Sequence, residues 1–310
     1  MAARLTLEDK PPGWFHWMNA TMPPHGPASS PLPDGRPLVV FLTGCTSGLG
    51  RVLADEFRAM GHTVIGCARR ADRIERMRAD FGTPHAFHVC DVTDENAVAA
   101  LALEVGRGHV DVVIANAGIG TSSALPWKAD SAEWRRVVDT NLNGVFYVDK
   151  HFGNILVEQA KTADAPLKRL VNLASGFSHT TSHINAGYCA SKWGVEALSK
   201  AFAQGLRAEG LANRVICVPL APGVVKSEFN QYGADAGAWA RDAAPFILDL
   251  SEKDNGASMS MARLGYYPPR YLASWAIPDG MPLPDSVVHP FMEELEAEAD
   301  AKEPAMSSDE

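Results

Sequence analysis

Tyr188 and Lys192 are spaced Y-x-x-x-K. On a helix, positions i and i+4 share one face, so the pair presents a phenol beside an ammonium. A free phenol titrates near about pH 10 and is a poor acid or base at neutral pH. A neighbouring ammonium favours the phenolate and is expected to bring that value down. Tyr188 so tuned can give a proton to a carbonyl oxygen or take one from an alcohol. Alone, the spacing is common in helices and describes a core tyrosine and a surface lysine. Ser175 follows the apolar run 170–173, and Asn141 sits within D-T-N-L-N-G. Taken singly, these two read as a strand-end turn residue and a mid-helix polar group at a kink.

The elements that must hold these residues follow from hydrophobic patterning. Leu38–Leu42 is a continuous apolar run ending at glycines, as expected of a strand buried on both faces. Strand-like runs recur at 62–67, 85–90, 110–115, 169–174 and 214–219, with a last strand expected at 257–261. Helical patterns occupy 49–60, 70–80, 94–105, 131–160 and 186–209; the last carries Val195, Leu198, Phe202 and Leu206 on one stripe. Residues 224–255 look partly helical. Strands alternating with helices predict an α/β fold, a doubly wound, mostly parallel sheet with helices on both faces.

Between the first strand and helix stand Gly44, Thr46, Ser47, Gly48, Leu49 and Gly50, in the spacing G-x-x-x-G-x-G. Gly44 permits a tight turn, Gly48 lets the backbone approach a diphosphate, and Gly50 lets the helix pack close to the strand. The helix N-terminus then aims free N–H groups and partial positive charge at the anion. This pattern resembles the short-chain dehydrogenase/reductase family, and successive strand ends extend the resemblance over about residues 38–262.

The resemblance implies a Rossmann-type, seven-stranded fold and a site assembled residue by residue. Ala68 stands where NAD-preferring members carry an acid, and Arg69 follows it, which implies NADP(H), its 2′-phosphate gripped by the guanidinium. Asp91, with Val92 after it, matches the aspartate that accepts from adenine. Asn116, Ala117 and Gly118 match the family's N-N-A-G, with Ala115 in place of the first asparagine. Ser175 would hold the substrate oxygen beside Tyr188, Lys192 would hold the nicotinamide ribose, and Asn141 would support a proton relay. Pro222, Gly223, Val225 and Ser227 resemble P-G-x-x-x-T, with Ser227 for the threonine. The activity implied is hydride transfer between NADP(H) and a ketone/secondary alcohol pair, in a homodimer or homotetramer joined through the 131–160 and 186–209 helices.

Two other classes use parts of this pattern. A catalytically silent NADP(H)-binding or interaction protein would keep the glycine turn, but the complete Ser/Tyr/Lys/Asn set argues against it. Sugar-nucleotide epimerases and dehydratases share Y-x-x-x-K, but usually with G-x-x-G-x-x-G and a longer C-terminal domain.

Composition agrees with a globular enzyme. The 310 residues carry 28 Lys plus Arg against 37 Asp plus Glu, a net charge of −9. That disfavours nucleic acid or an anionic membrane as partner. The five cysteines, Cys45, Cys67, Cys90, Cys189 and Cys217, form no C-x-x-C pair, which predicts no metal site and fits a reducing, cytoplasmic setting. Residues 1–37 hold eight of the 21 prolines and form a predicted N-terminal arm, with Trp14, Phe15 and Trp17 expected to pack on the body or a neighbouring subunit. Residues 263–310 are predicted to be an irregular extension with an acidic tail. The substrate pocket is expected under 176–187, with Phe177, His179 and His183, and under 224–250, with Phe229, Tyr232, Trp239 and Arg241.

Overall fold

The computed structural model describes residues 36–162, 164–228 and 235–261. Residues 1–35 of the arm, the C-terminal extension, Phe229 and Tyr232 lie outside them. Seven strands form one sheet: β1 (Val39–Thr43), β2 (Thr63–Ala68), β3 (Ala86–Val89), β4 (Val112–Ala115), β5 (Lys168–Leu173), β6 (Val215–Ala221) and β7 (Met259–Ser260). Their order is β3-β2-β1-β4-β5-β6-β7, and every pairing is parallel. β4 and β6 carry no polar residue, and β5 buries even its Lys168, Arg169 and Asn172, because both faces of the sheet are covered.

The covering helices are α1 (Gly48–Ala59), α2 (Ala71–Phe81), α3 (Glu95–Val105), α4 (Ser131–Val138), α5 (Gly144–Ala160), α6 (Ala186–Ala208) and α7 (Ala236–Asp249). On one face α1, α2 and α7 bury Leu53, Phe57, Ile74, Met77, Trp239 and Ile247. On the other, α3, α5 and α6 bury Leu101, Phe152, Leu156, Val195 and Leu206. Each such side chain contributes about 1.5–3 kcal/mol by leaving water. Phe41 of β1 stacks on Phe152 of α5, ring centroids 3.8 Å apart, fixing the strand against that layer.

The predicted helix 131–160 is interrupted. Residues Asp139–Asn143 form a π turn between α4 and α5. Such one-turn bulges displace one side chain relative to the helical stripe and recur at functional sites; here the turn carries Asn141.

The chain winds outward from β1 to β3 in one direction and from β4 to β7 in the other. The carboxyl ends of β1 and β4 therefore border the crevice where the strand order reverses, the usual ligand position in open parallel sheets. At the opposite end, fully buried Asp111 is paired with Lys168 (2.9 Å) and Arg36 (3.0 Å), a structural ion pair.

Candidate active site

The glycine turn is shaped by contacts from β4. Gly44 and Gly48 adopt φ of +68° and +54°, which a side chain would oppose. A Cβ on Gly50 would lie 2.4 Å from the Gly44 carbonyl oxygen, so α1 can start here only on glycine. Thr43 Oγ1 accepts from the backbone N–H groups of Asn116 (3.1 Å) and Ala117 (3.0 Å), and Asn116 Nδ2 donates to the Thr43 carbonyl (2.8 Å). Asn116 thus spends its side-chain N–H on the turn itself. Ser47 stands at the N-cap of α1 but makes no side-chain cap bond, which leaves the first N–H groups of the helix for an anion. Its hydroxyl accepts instead from Arg70 Nη2 at 2.8 Å.

That contact brings the end of β2 to the turn through Arg70, the neighbour of Arg69. Arg69 is exposed and makes no hydrogen bond or ion pair among the described residues; its neighbour Arg70 faces the turn. Asp91, at the end of β3, turns Oδ1 back onto the N–H and hydroxyl of Thr93 (3.0 and 2.9 Å). The cap of α3 is Asp94, which accepts from Asn96 and Ala97, so helix capping does not account for Asp91. Val92 is buried and packs where Gly144 has no side chain. Cys45 points into the sheet against Gly66, and burial pushes its thiol up to about 12. All five cysteines are free and buried.

The tetrad residues lie on three elements that meet beyond β4 and β5. Ser175 opens a single 3-10 turn (Gly176–Ser178) after β5, and its Oγ accepts from the Phe177 N–H. Ser178 Oγ accepts from Ser175 N and donates to the Lys192 carbonyl, tying this turn to α6. The Ser175 hydroxyl stands close enough to the Tyr188 phenol to favour its ionised form. Lys192, 4% exposed, donates from Nζ to the Leu173 carbonyl at 2.6 Å and lies 5.8 Å from the Tyr188 ring centroid. Asn141 is fully buried; Oδ1 accepts from Ile119 N and Nδ2 donates to Ile119 O, both at 2.8 Å. A Cβ on Gly118 would meet Asn141 Oδ1 at 3.3 Å and Lys192 Nζ at 3.8 Å, so Asn141, Gly118 and Lys192 converge.

The protein's own groups raise the Tyr188 pKa; the lowering expected from the family resemblance also draws on the charge of an oxidised nicotinamide. Tyr188 keeps partial exposure, yet desolvation by the surrounding protein pushes its phenol up to about 12, against a smaller opposing effect of the Ser175 hydroxyl. Burial drives Lys192 the other way, down to about 8. The ammonium donates to the Leu173 carbonyl, and desolvation is the leading effect on both groups.

Phe177 stands edge-on to the Tyr188 ring, centroids 6.1 Å apart, where the expected pocket wall should be. His179 is instead paired with Glu196 at 3.7 Å, and His183 is exposed. Trp239 does not line a pocket: it is fully buried under the sheet and donates from Nε1 to the Pro222 carbonyl (2.9 Å). It anchors the segment after β6, in which Gly223 has φ +91°, Val225 is buried and Ser227 Cβ lies 3.6 Å from where Gly48 would carry a side chain. Arg241 is exposed on α7. Residues the sequence did not single out are Thr43, Arg70 and Ser191, whose Oγ accepts from Asn141 Nδ2 at 3.3 Å. Among the described residues no helix is long and apolar enough to cross a membrane, and no three His, Cys, Asp or Glu are grouped for a metal.

Comparison with known proteins places this architecture. The family model for short chain dehydrogenase matches residues 38–236. The NADPH-dependent pterin aldehyde reductase of Arabidopsis thaliana is 34% identical over 234 residues, 72% of this chain and 92% of that one. Serine 3-dehydrogenase of Agrobacterium fabrum is 32% identical over 195 residues, 62% of this chain and 73% of that one. Levodione reductase superposes with a TM-score of 0.64 at 24% identity, covering 72% of this chain and 95% of that one, a likeness of fold. The chain therefore belongs to the short-chain dehydrogenase/reductase family of oxidoreductases.

Proposed function

We propose that this protein is an NADP(H)-dependent oxidoreductase that reduces a carbonyl to an alcohol, with Tyr188 as the proton donor. The observation that carries the reading is the convergence of buried Lys192 with the Tyr188 ring, 5.8 Å away, and with Asn141 across Gly118, beside the Ser175 turn. The glycine turn, with its uncapped α1 N-terminus and no room for a Cβ at Gly50, fits a nucleotide diphosphate. Arg70 at the turn fits a 2′-phosphate, and the name of the Arabidopsis relative supports the same cofactor. Asp91 and Val92 would border the adenine, and Pro222, Gly223, Val225 and Ser227 the nicotinamide end.

NADPH, when bound, supplies the hydride. Ser175 holds the substrate oxygen with its hydroxyl. Tyr188, which keeps its proton throughout the neutral range, gives that proton to the oxygen as charge develops there. Lys192 places a cation between the phenol and the ribose site, and Asn141 holds the Gly118–Ile119 backbone against it. A cytoplasmic, dimeric or tetrameric enzyme is the accompanying proposal; half-exposed Phe146 on α5 and Trp193 on α6 support association through those helices.

Tyr188→Phe tests the reading. NADPH binding, followed by its fluorescence, should be unchanged while carbonyl reduction falls by about 10²–10⁴. Near-normal turnover in this variant overturns the assignment.

A further inference from the structure

The two arginines beside the glycine turn share one carboxylate. Arg73 Nη1 donates to both oxygens of Glu228, at 2.7 and 3.0 Å. Arg70 Nη1 lies 3.6 Å from the same carboxylate, while its Nη2 holds Ser47 of the turn. Glu228 is 155 residues from Arg73 in sequence and directly follows Ser227, which packs over Gly48. The contact thus spans from the segment after β6 to the start of α2, across the turn. The hydrogen bond from Arg73 holds the Glu228 carboxyl below the usual carboxylate range, so it is charged at neutral pH.

We propose that Glu228 is a selectivity residue, an internal counter-anion that occupies Arg70 and Arg73 until a 2′-phosphate displaces it. The inference rests on the cofactor reading above. Both arginines remain partly exposed, 41% and 30%, and Glu228 is 58% exposed, so the exchange is between groups already in contact with water. A phosphate monoester carries nearly twice the charge of a carboxylate and more acceptor oxygens, and therefore wins the guanidiniums. The displaced carboxylate still lies beside the incoming dianion and opposes it. NADH, which lacks the phosphate, offers nothing to exchange. Glu228 thus costs affinity for NADPH alone and keeps the arginines neutralised when the site is empty of phosphate.

Equilibrium titration of NADPH and NADH fluorescence against the full chain tests this. Glu228→Gln should tighten NADPH by about two- to fivefold, within the range of an exposed ion pair, and leave NADH unchanged. In an Arg70→Ala background the same substitution should give a markedly smaller gain. An unchanged NADPH affinity, equal shifts for both nucleotides, or weaker NADPH binding in Glu228→Gln each overturns the proposal. Tight NADPH binding by the native chain, with a Glu228→Gln variant that behaves identically, would sink this inference and leave the cofactor reading standing. A native chain that binds no NADPH would sink both.

Discussion

Asn141 grips Ile119 from both sides, accepting from its N–H and donating to its carbonyl, each at 2.8 Å. The side chain thereby acts as a strand partner for a single residue of the segment after β4. The π turn makes this possible by displacing Asn141 out of the register of α4 and α5.

Asn141→Ala should leave both partly buried backbone groups of Ile119 without that partner, lowering stability by about 1–2 kcal/mol. Denaturant unfolding measures that loss. Turnover should fall while nucleotide affinity changes little, because the Gly118–Ile119 backbone no longer rests against Lys192; a steady-state KM and kcat comparison separates the two.

The rate of carbonyl reduction should decline as pH rises through about 8. Lys192 is cationic below that value and neutral above it, whereas Tyr188 holds its proton to about 12. The descending limb of kcat/KM against pH therefore belongs to the lysine. Lys192→Arg, whose guanidinium stays charged, should move the limb upward even with a lower maximum. A limb that stays near 8 in that variant would assign it elsewhere.

Much of this arrangement was legible in the sequence, because strands buried on both faces write themselves as apolar runs and the glycine turn has a fixed spacing. Three things were not. A π turn leaves no mark in a 3.6-residue pattern, so 131–160 reads as one helix. Which of two adjacent arginines faces the turn depends on how the backbone leaves β2, and Arg70, not Arg69, does so. Glu228 meets Arg73 only through the tertiary fold. Trp239 is a different case: with Ala243 and Ile247 it forms an i, i+4, i+8 stripe, a sign of burial that its proximity to the expected pocket obscured.

Asp149 is buried beside Asn172, and burial pushes its carboxyl up to about 8. Asp149 Oδ1 and Asn172 Oδ1 both lack a hydrogen-bond partner. An acid with a raised folded pKa binds its proton more tightly in the fold than in the unfolded chain. Stability therefore falls as pH climbs from the ordinary value of 3.8 toward about 8, and the loss is absent below that range. Asp149→Asn carries no charge, and its amide can donate to Asn172 Oδ1. It should gain about 1–3 kcal/mol at pH 7.5, with the gain vanishing toward pH 4. Thermal melts at the two pH values check the sign.

Two glycines give opposite outcomes. Gly50→Ala forces a Cβ onto the Gly44 carbonyl and the Asn116 amide, so nucleotide binding should be lost and stability should drop by about 2 kcal/mol or more. Gly205, within α6, has nothing within 4 Å of its missing Cβ, and Gly205→Ala should stabilise by about 0.5–1 kcal/mol with activity intact. Calorimetry with a parallel binding titration distinguishes them.

Thr43 Oγ1 receives N–H groups from Asn116 and Ala117, more than seventy residues away. The cradle for the nucleotide is consequently no property of the G-x-x-x-G-x-G segment by itself. A nascent chain that has emerged only as far as β3 holds every glycine it needs and still lacks the groove, which comes into being when the fourth strand docks beside the first. Ligand competence in this protein is set at the moment the two halves of its sheet join.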